Sequence, residues 1–464
     1  MPWTVGALSV LVLTSFATVA QAAFSTATVA TPRVVLFVDP CTEDALTEVT
    51  VLNAACAHYG AAVIPVWSNA MSEATKDEEL HDALLDAPAA GDELRWASEV
   101  FNGASLEAVL CGSDGGLACA ERLQHVLMPS KSNDIDASRR DKFLVNQACG
   151  EAGLAVAAQA APCTWEAAEA FLETQTLPAV LKPRRGTASV GVFKVNSIEQ
   201  AKEIYGILSR TVVSIDSSEL GDGIVNCVAQ ELLEGDEWIV DTVSADGEHK
   251  VVALWRYEKG SANGAPFVYL SAELLSSSGA DEAEALMDYA CDCLDALKWK
   301  WGPAHIEVRY TPDGPKLIEV NAGRCNGLDF KLLADLAYGY NQHDATVAAW
   351  LAPEEFAALP SRPPEQLNCC AKLVTLVSNV GGTLKQINHE EELSNMQSLF
   401  SFEPEASEPG DIVKHTTDLN SFAGTAMMAH ADPEVLDADY RRLRELQSTM
   451  FEVLEEEEEA LETV

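Results

Sequence analysis

The feature that most constrains the fold is a change of hydrophobic period that recurs along the first third of the chain. Arg33–Asp39 (RVVLFVD) is a short β-branched run, Glu43–Tyr59 carries its apolar residues at helical spacing, and Ala61–Trp67 (AAVIPVW) reads as a second strand. This is a βαβ opening. A strand at Leu106–Leu110 ends in Cys111-Gly112-Ser113-Asp114-Gly115-Gly116, and a helical pattern follows to about Met128. Gly112, Gly115 and Gly116 match neither G-x-G-x-x-G nor G-x-x-x-x-G-K-[ST] spacing, so they read as a tight turn in a small doubly wound α/β domain.

Further along, the capping residues of Ser132–Ser138 lead into an amphipathic helix over Arg139–Ala152. Helices are expected at Trp165–Leu172, Ile198–Leu208 and Ala280–Leu297. Strands are expected at Leu177–Pro183, Val190–Val195, Val225–Leu233 and Glu237–Ser244. Asp246-Gly247 turns the last of these into Lys250–Arg256, and Pro312-Asp313-Gly314 joins Gly302–Tyr310 to Lys316–Asn321. The final third predicts a strand near Ala371–Ser378, a Gly381-Gly382 turn, and a last helix over Leu436–Leu454 that runs into the solvated acidic stretch Glu455–Glu459.

Composition narrows the partners. The 464 residues include 30 basic and 72 acidic side chains, a formal net charge of −42, which repels the phosphate backbone of duplex nucleic acid. A small anionic ligand is still compatible, because a few cations in a cleft act over about 8 Å whatever the global charge. The 12 cysteines form no C-x-x-C pair and read as small core residues in a reducing compartment.

Two groups of residues carry chemistry. Lys182 lies inside an apolar strand, four residues before the Gly186 of a basic loop, Arg184-Arg185-Gly186-Thr187-Ala188-Ser189. Its ammonium is a point charge for phosphates, with Lys142 upstream as a second. Thr187, Ser189 and backbone N–H groups near Gly186 and Gly191 can wrap a terminal phosphate. In the later hairpin, Glu307 and Glu319 lie on opposing strands, and period-2 alternation puts Glu319 and Asn321 on one face. Hard oxygen donors on rigid strands suit magnesium, which completes its shell with phosphates and water.

In this order and spacing the motifs resemble the ATP-grasp superfamily over about Arg33–Glu445, most specifically over Ser138–Phe330. The resemblance rests on SRRDKFLVNQACGEAGL, PAVLKPRRGTASVGVFKV, AQELLEGDEWIVD and GPAHIEV…KLIEVNAGRCNG. Within that superfamily, DTVSADGEHKVVALWRYEKGSANGAPFVY looks like the L-amino-acid ligases and the ligase region of carnosine synthases. The resemblance implies an α/β and α+β protein: an ATP-grasp fold with an N-terminal doubly wound α/β (pre-ATP-grasp) domain and a C-terminal α+β cap. It implies ATP and magnesium (or manganese), with Lys142 and Lys182 on the phosphates, Glu231 and Leu233 at the adenine edge, Glu237 at the ribose, and Glu307, Glu319 and Asn321 on the metal. The family pattern is E-x-N-x-R. Here Arg324 comes one residue late, and Gly323 permits the backbone adjustment that lets it reach the transferred phosphoryl group. Arg256 and Lys259, placed just after a strand, are candidates to neutralise a substrate carboxylate.

The activity implied is ATP-dependent joining of a carboxylate to an amine, with amino acids as the expected substrates, through an acylphosphate with release of ADP and phosphate. An ATP-grasp kinase or carboxylase, and a nucleotide-binding regulator that does not turn over, stay open as alternatives. So does a homodimer. The expected organisation is a targeting segment at 1–30, an α/β domain at 31–130, an ATP-grasp domain at 131–352 with a lid at about 165–230, and a cap at 353–464. No charge occurs from Met1 to Pro32, and the apolar run Val5–Ala20 precedes Ala20-Gln21-Ala22, an A-x-A-like cleavage site without a basic n-region. This signal-like leader resembles the two-part plastid leaders of algae with complex plastids. An organelle or the cytoplasm is therefore expected, since a ligase needs ATP.

Overall fold

The computed structural model describes residues 31–40, 45–68, 84–186, 190–210 and 225–454. The leader at 1–30, Thr187 and Ser189, and the acidic run after Leu454 lie outside the described residues. No helix among the described residues is long and apolar enough to cross a membrane.

Strands β1 (Arg33–Val38), β2 (Ala61–Trp67), β3 (Leu85–Asp86) and β4 (Ser105–Cys111) form a parallel sheet in the order β3-β2-β1-β4. The order reverses between β1 and β4, which opens a crevice at the carboxyl ends of those strands. Gly112 and Gly116 turn the chain there. A Cβ on Gly112 would lie 2.8 Å from the Asp39 carbonyl oxygen, so the turn needs glycine for close approach.

A second sheet of four short antiparallel strands contains β5 (Gln159–Ala160), β6 (Ala179–Lys182), β7 (Phe193–Val195) and β8 (Val228–Glu231), in the order β5-β8-β6-β7. With the helices Trp165–Leu172 and Ile198–Leu208 it encloses its own apolar core, including Leu172, Leu181, Tyr205 and Ala229. Both helices occupy the spans their sequence predicts.

The main sheet has eight strands. Its members β9 (Asp236–Ala245), β10 (Glu248–Ala262), β11 (Ala265–Leu275), β12 (Gly302–Thr311) and β13 (Gly314–Ala322) lie in the order β13-β12-β9-β10-β11. β14 (Cys370–Thr375) continues the sheet beyond β11. A small sheet pairs β15 (Gly382–Ile387) with β17 (Ile412–Val413) and β19 (Phe451–Val453), while β16 (Leu399–Pro404) and β18 (Gly424–His430) complete the main one.

Three expectations are corrected. The helix expected at 139–152 begins at Lys142, because the Asp141 carboxylate accepts hydrogen bonds from the Phe143 and Leu144 N–H groups and caps it, leaving Ala137–Arg140 as a 3₁₀ turn. The last helix spans Pro433–Gln447 and stops short of Leu454; Phe451–Val453 pairs instead with β15. The strand expected to end at Arg256 continues to Ala262 and turns through Asn263-Gly264, both at positive φ, into β11, a strand absent from the expected set. All the cysteines among the described residues are free thiols.

Candidate active site

The four-stranded sheet and the main sheet face each other across a cavity of about 330 Å³. Lys182, the last residue of β6, spans the gap: its Nζ donates to the Ile318 carbonyl of β13 at 3.4 Å. Burial lowers the pKa of this ammonium to about 8, and the positive charge of Lys142 adds to the effect, while Glu319, Glu307 and Glu237 oppose it. Lys142 starts its helix next to the Asp141 cap. Its Nζ lies 3.0 Å from Glu319 and donates to the Gly186 carbonyl. Arg184 grips the Asp141 carboxylate at 2.7 Å, so the basic loop is fastened to the helix that carries Lys142.

On the main sheet, Glu307 and Glu319 are paired directly across β12 and β13, and His305 is paired with Asn321. The Asn321 amide donates to Glu319 at 2.9 Å. His305 bonds Asp241 at 2.9 Å and lies 3.5 Å from Glu307. Burial would discharge this imidazole, but the two carboxylates outweigh it and raise its pKa to about 9. For Glu307, burial would raise the pKa, yet the His305 hydrogen bond and the charges of Lys259, His305 and Lys142 bring it down to about 2. Glu307 is therefore a carboxylate at any ordinary pH.

Among the described residues no three His, Cys, Asp or Glu side chains converge as a metal cluster. The donor set present is two carboxylates and an amide. That set fits magnesium, which takes few protein ligands and leaves its remaining positions to phosphate and water.

Glu231 and Leu233 line the cavity at the link between β8 and β9. Glu231 is also engaged by Lys316 at 2.8 Å. Glu237 is buried and meets two cations, Lys259 at 2.5 Å and Arg309. Lys259 sits 3.8 Å from the centroid of the Tyr269 ring and faces the cavity. Gly186 and Gly191 bracket the loop, Gly191 at φ +74° against Pro183. Arg324 lines the cavity beside Asn321.

The structure does not bring Arg256 into this cavity. Arg256 lies within β10, and alternation turns it away from Tyr257 and Lys259 toward Glu273, which it bonds at 2.8 Å on the other face. Sequence reasoning missed His305 and Arg309. Both stand two residues from Glu307 in Ala304-His305-Ile306-Glu307-Val308-Arg309, and all three charged side chains line the cavity. That alternation was the available signal. Leu419 reaches the cavity from the C-terminal region, where the Asn263 amide donates to the Ser378 and Thr416 carbonyls at 2.9 Å each.

Residues 175–330 match the ATP-grasp domain family. Residues 175–330 thus carry an ATP-grasp domain, and two facing sheets that enclose a cavity lined by lysines, arginines and carboxylates give the chain an ATP-grasp fold. Among such proteins it is similar to dapdiamide A synthase of Enterobacter agglomerans, with 27% identity over 352 residues, 75% of this chain and 80% of that one. It is also similar to carnosine synthase 1 of Gallus gallus, 29% identical over 212 residues, which cover 45% of this chain and 22% of that protein. The L-amino acid ligase of Bacillus licheniformis superposes with a TM-score of 0.68 at 18% identity, covering 92% of this chain and 100% of that one.

Proposed function

We propose that this protein is an ATP-dependent carboxylate-amine ligase that forms an amide or peptide bond and releases ADP and phosphate. The observation that carries the reading is the convergence on one cavity of Lys182, Glu307, Glu319 and Asn321 from two facing sheets, with Lys142 from the start of a helix and Arg324 from just beyond β13. A pure nucleotide binder has no need of that set at a transferred phosphate. The similarity to dapdiamide A synthase, extending over 80% of its length, supports the amide-forming class.

In the first step a substrate carboxylate oxygen attacks the γ-phosphorus of ATP, the bond to the β-γ bridging oxygen breaks, and ADP leaves. In the second, an amine attacks the acylphosphate carbon and phosphate departs. Lys142 and Lys182 hold phosphate charge, and Arg324 donates to the transferring group. Glu307, Glu319 and Asn321 would hold magnesium, which when bound neutralises charge on the phosphates. The four-stranded sheet covers the cavity and keeps water from the acylphosphate. Lys259, already matched by Glu237, is a candidate for the rim of the substrate pocket; Arg256 is not.

Purified protein incubated with ATP, magnesium and pools of amino acids tests this. The expected outcome is ADP and phosphate, with new masses equal to a carboxylate partner plus an amine partner less water. AMP and pyrophosphate would instead mean an adenylate and would refute the acylphosphate route.

A further inference from the structure

Arg324 is held from outside the ATP-grasp domain. The Asp114 carboxylate accepts a hydrogen bond from Arg324 Nε at 2.5 Å, across 210 residues of chain. Asp114 sits on the turn after β4, at the crevice where the parallel sheet reverses its order. The backbone joins the contact, because Arg324 forms a parallel bridge with Cys111 at the end of β4.

The alternation of β13 shows why such a contact matters. Glu319 and Asn321 share a face, so the next residue on that face is Gly323 and the arginine falls on the other. The chain leaves strand geometry at Gly323, at φ +107°, where a Cβ would lie 2.7 Å from Leu117 Cδ2. Beyond this turn the guanidinium feels the charge of Glu319, and its NH1 donates weakly to the neighbouring Cys325 carbonyl at 3.4 Å. The Asp114 contact on Nε fixes its plane, and Arg324 lines the cavity with Glu319 and Asn321. The two side chains are only 22% and 20% exposed, which shelters the pair from the screening that weakens surface ion pairs.

From this geometry we infer that Asp114 is a positioning residue for Arg324: the turn of the N-terminal sheet orients the arginine toward the transferring phosphoryl group, compensating for its place one residue beyond the usual spacing. The inference rests on the proposed ligase reading of Arg324.

The test uses the full chain and a probe that needs no knowledge of the substrates. MgADP with aluminium fluoride mimics the transferring phosphoryl group, and calorimetry measures its affinity against MgADP alone. Wild-type protein should gain affinity from the fluoride complex. Asp114→Ala should cut that gain roughly 10- to 100-fold, as misplacement of a stabilising group does. Its affinity for MgADP alone should stay within about twofold, and it should cost nothing further in an Arg324→Ala background, since the two residues act as one unit. Asp114→Asn, which keeps volume and an acceptor oxygen, guards against misfolding and should show the same pattern at smaller amplitude. An undiminished gain in both variants, or a loss that persists without Arg324, overturns the inference alone. No gain in wild type overturns the role of Arg324 and the inference with it.

Discussion

Glu307 and Glu319 are direct cross-strand neighbours on β12 and β13. Two carboxylates so placed repel each other, and the protein offsets this with cations: His305 lies 3.5 Å from Glu307, and Lys142 3.0 Å from Glu319. Glu307 is thus kept ionised with Glu319 beside it, ready for a divalent cation.

Changing Glu319→Gln keeps volume but removes one of the two charges. Turnover should fall by about 10²-fold or more, while MgATP affinity changes by less than about tenfold. Single-turnover rates and calorimetry on the same preparation check both. A variant with near-normal turnover would remove Glu319 from the metal site.

Lys182 sets a pH dependence. Its folded-state pKa of about 8 lies below the ordinary 10.5, so its positive charge is lost as pH rises through 8. ATP affinity of the free protein should therefore weaken above pH 8, and Lys182→Met should flatten that part of the profile. Linkage gives the opposite sign for stability. Between pH 8 and 10.5 the unfolded lysine holds a proton that the folded one has released, so this group makes the fold more stable as pH rises through that window. Lys182→Met should accordingly raise the melting temperature at pH 7 while weakening ATP binding.

The two faces of the main sheet predict unequal variants. Arg256→Ala should leave the KM for ATP within about twofold, because half-exposed ion pairs contribute little and this one faces away from the cavity. Glu237→Ala leaves Lys259 and Arg309 without their shared carboxylate, and removing one partner of a buried set costs about 3–5 kcal/mol. Urea unfolding compares the two. Equal destabilisation would contradict the assignment of faces.

Gly323→Ala places a Cβ at φ +107° and 2.7 Å from Leu117 Cδ2. Backbone strain of about 1–3 kcal/mol is expected. Leu117→Ala should relieve the contact but not the φ strain, giving a partial recovery of melting temperature in the double variant.

Local sequence signals made much of this fold legible. The helices at 165–172 and 198–208 and the strand at 61–67 were readable because capping residues and uniform period bound them. Glu307, Glu319 and Asn321 were readable because a Pro-Asp-Gly turn fixes the register of their hairpin. What escaped depends on distant partners. Met450 and Leu454 keep helical spacing with Leu446, yet Phe451–Val453 leaves the helix because β15 offers a strand edge more than sixty residues away in sequence. Gly260, Ser261 and Ala262 have little strand propensity, so the continuation of β10 is set by its pairing with β11. Asp114 looked like a turn residue and nothing more, since no local pattern can announce a partner 210 residues later.

The main sheet runs without a break from β13 to β16, with β11 bonded to β14 and β14 to β18. Among the described residues the antiparallel four-stranded sheet β5-β8-β6-β7 shares no ladder with it. Opening the cavity from the C-terminal side would therefore require tearing backbone hydrogen bonds, whereas the four-stranded sheet can tilt on the short link at 232–235. A chain cut before Cys370 would not simply lose a cap: it would present the bare margin of β11 to solvent, an unpaired template for adhesion to other chains. Expression trials of shortened versions should yield aggregates rather than a smaller working unit.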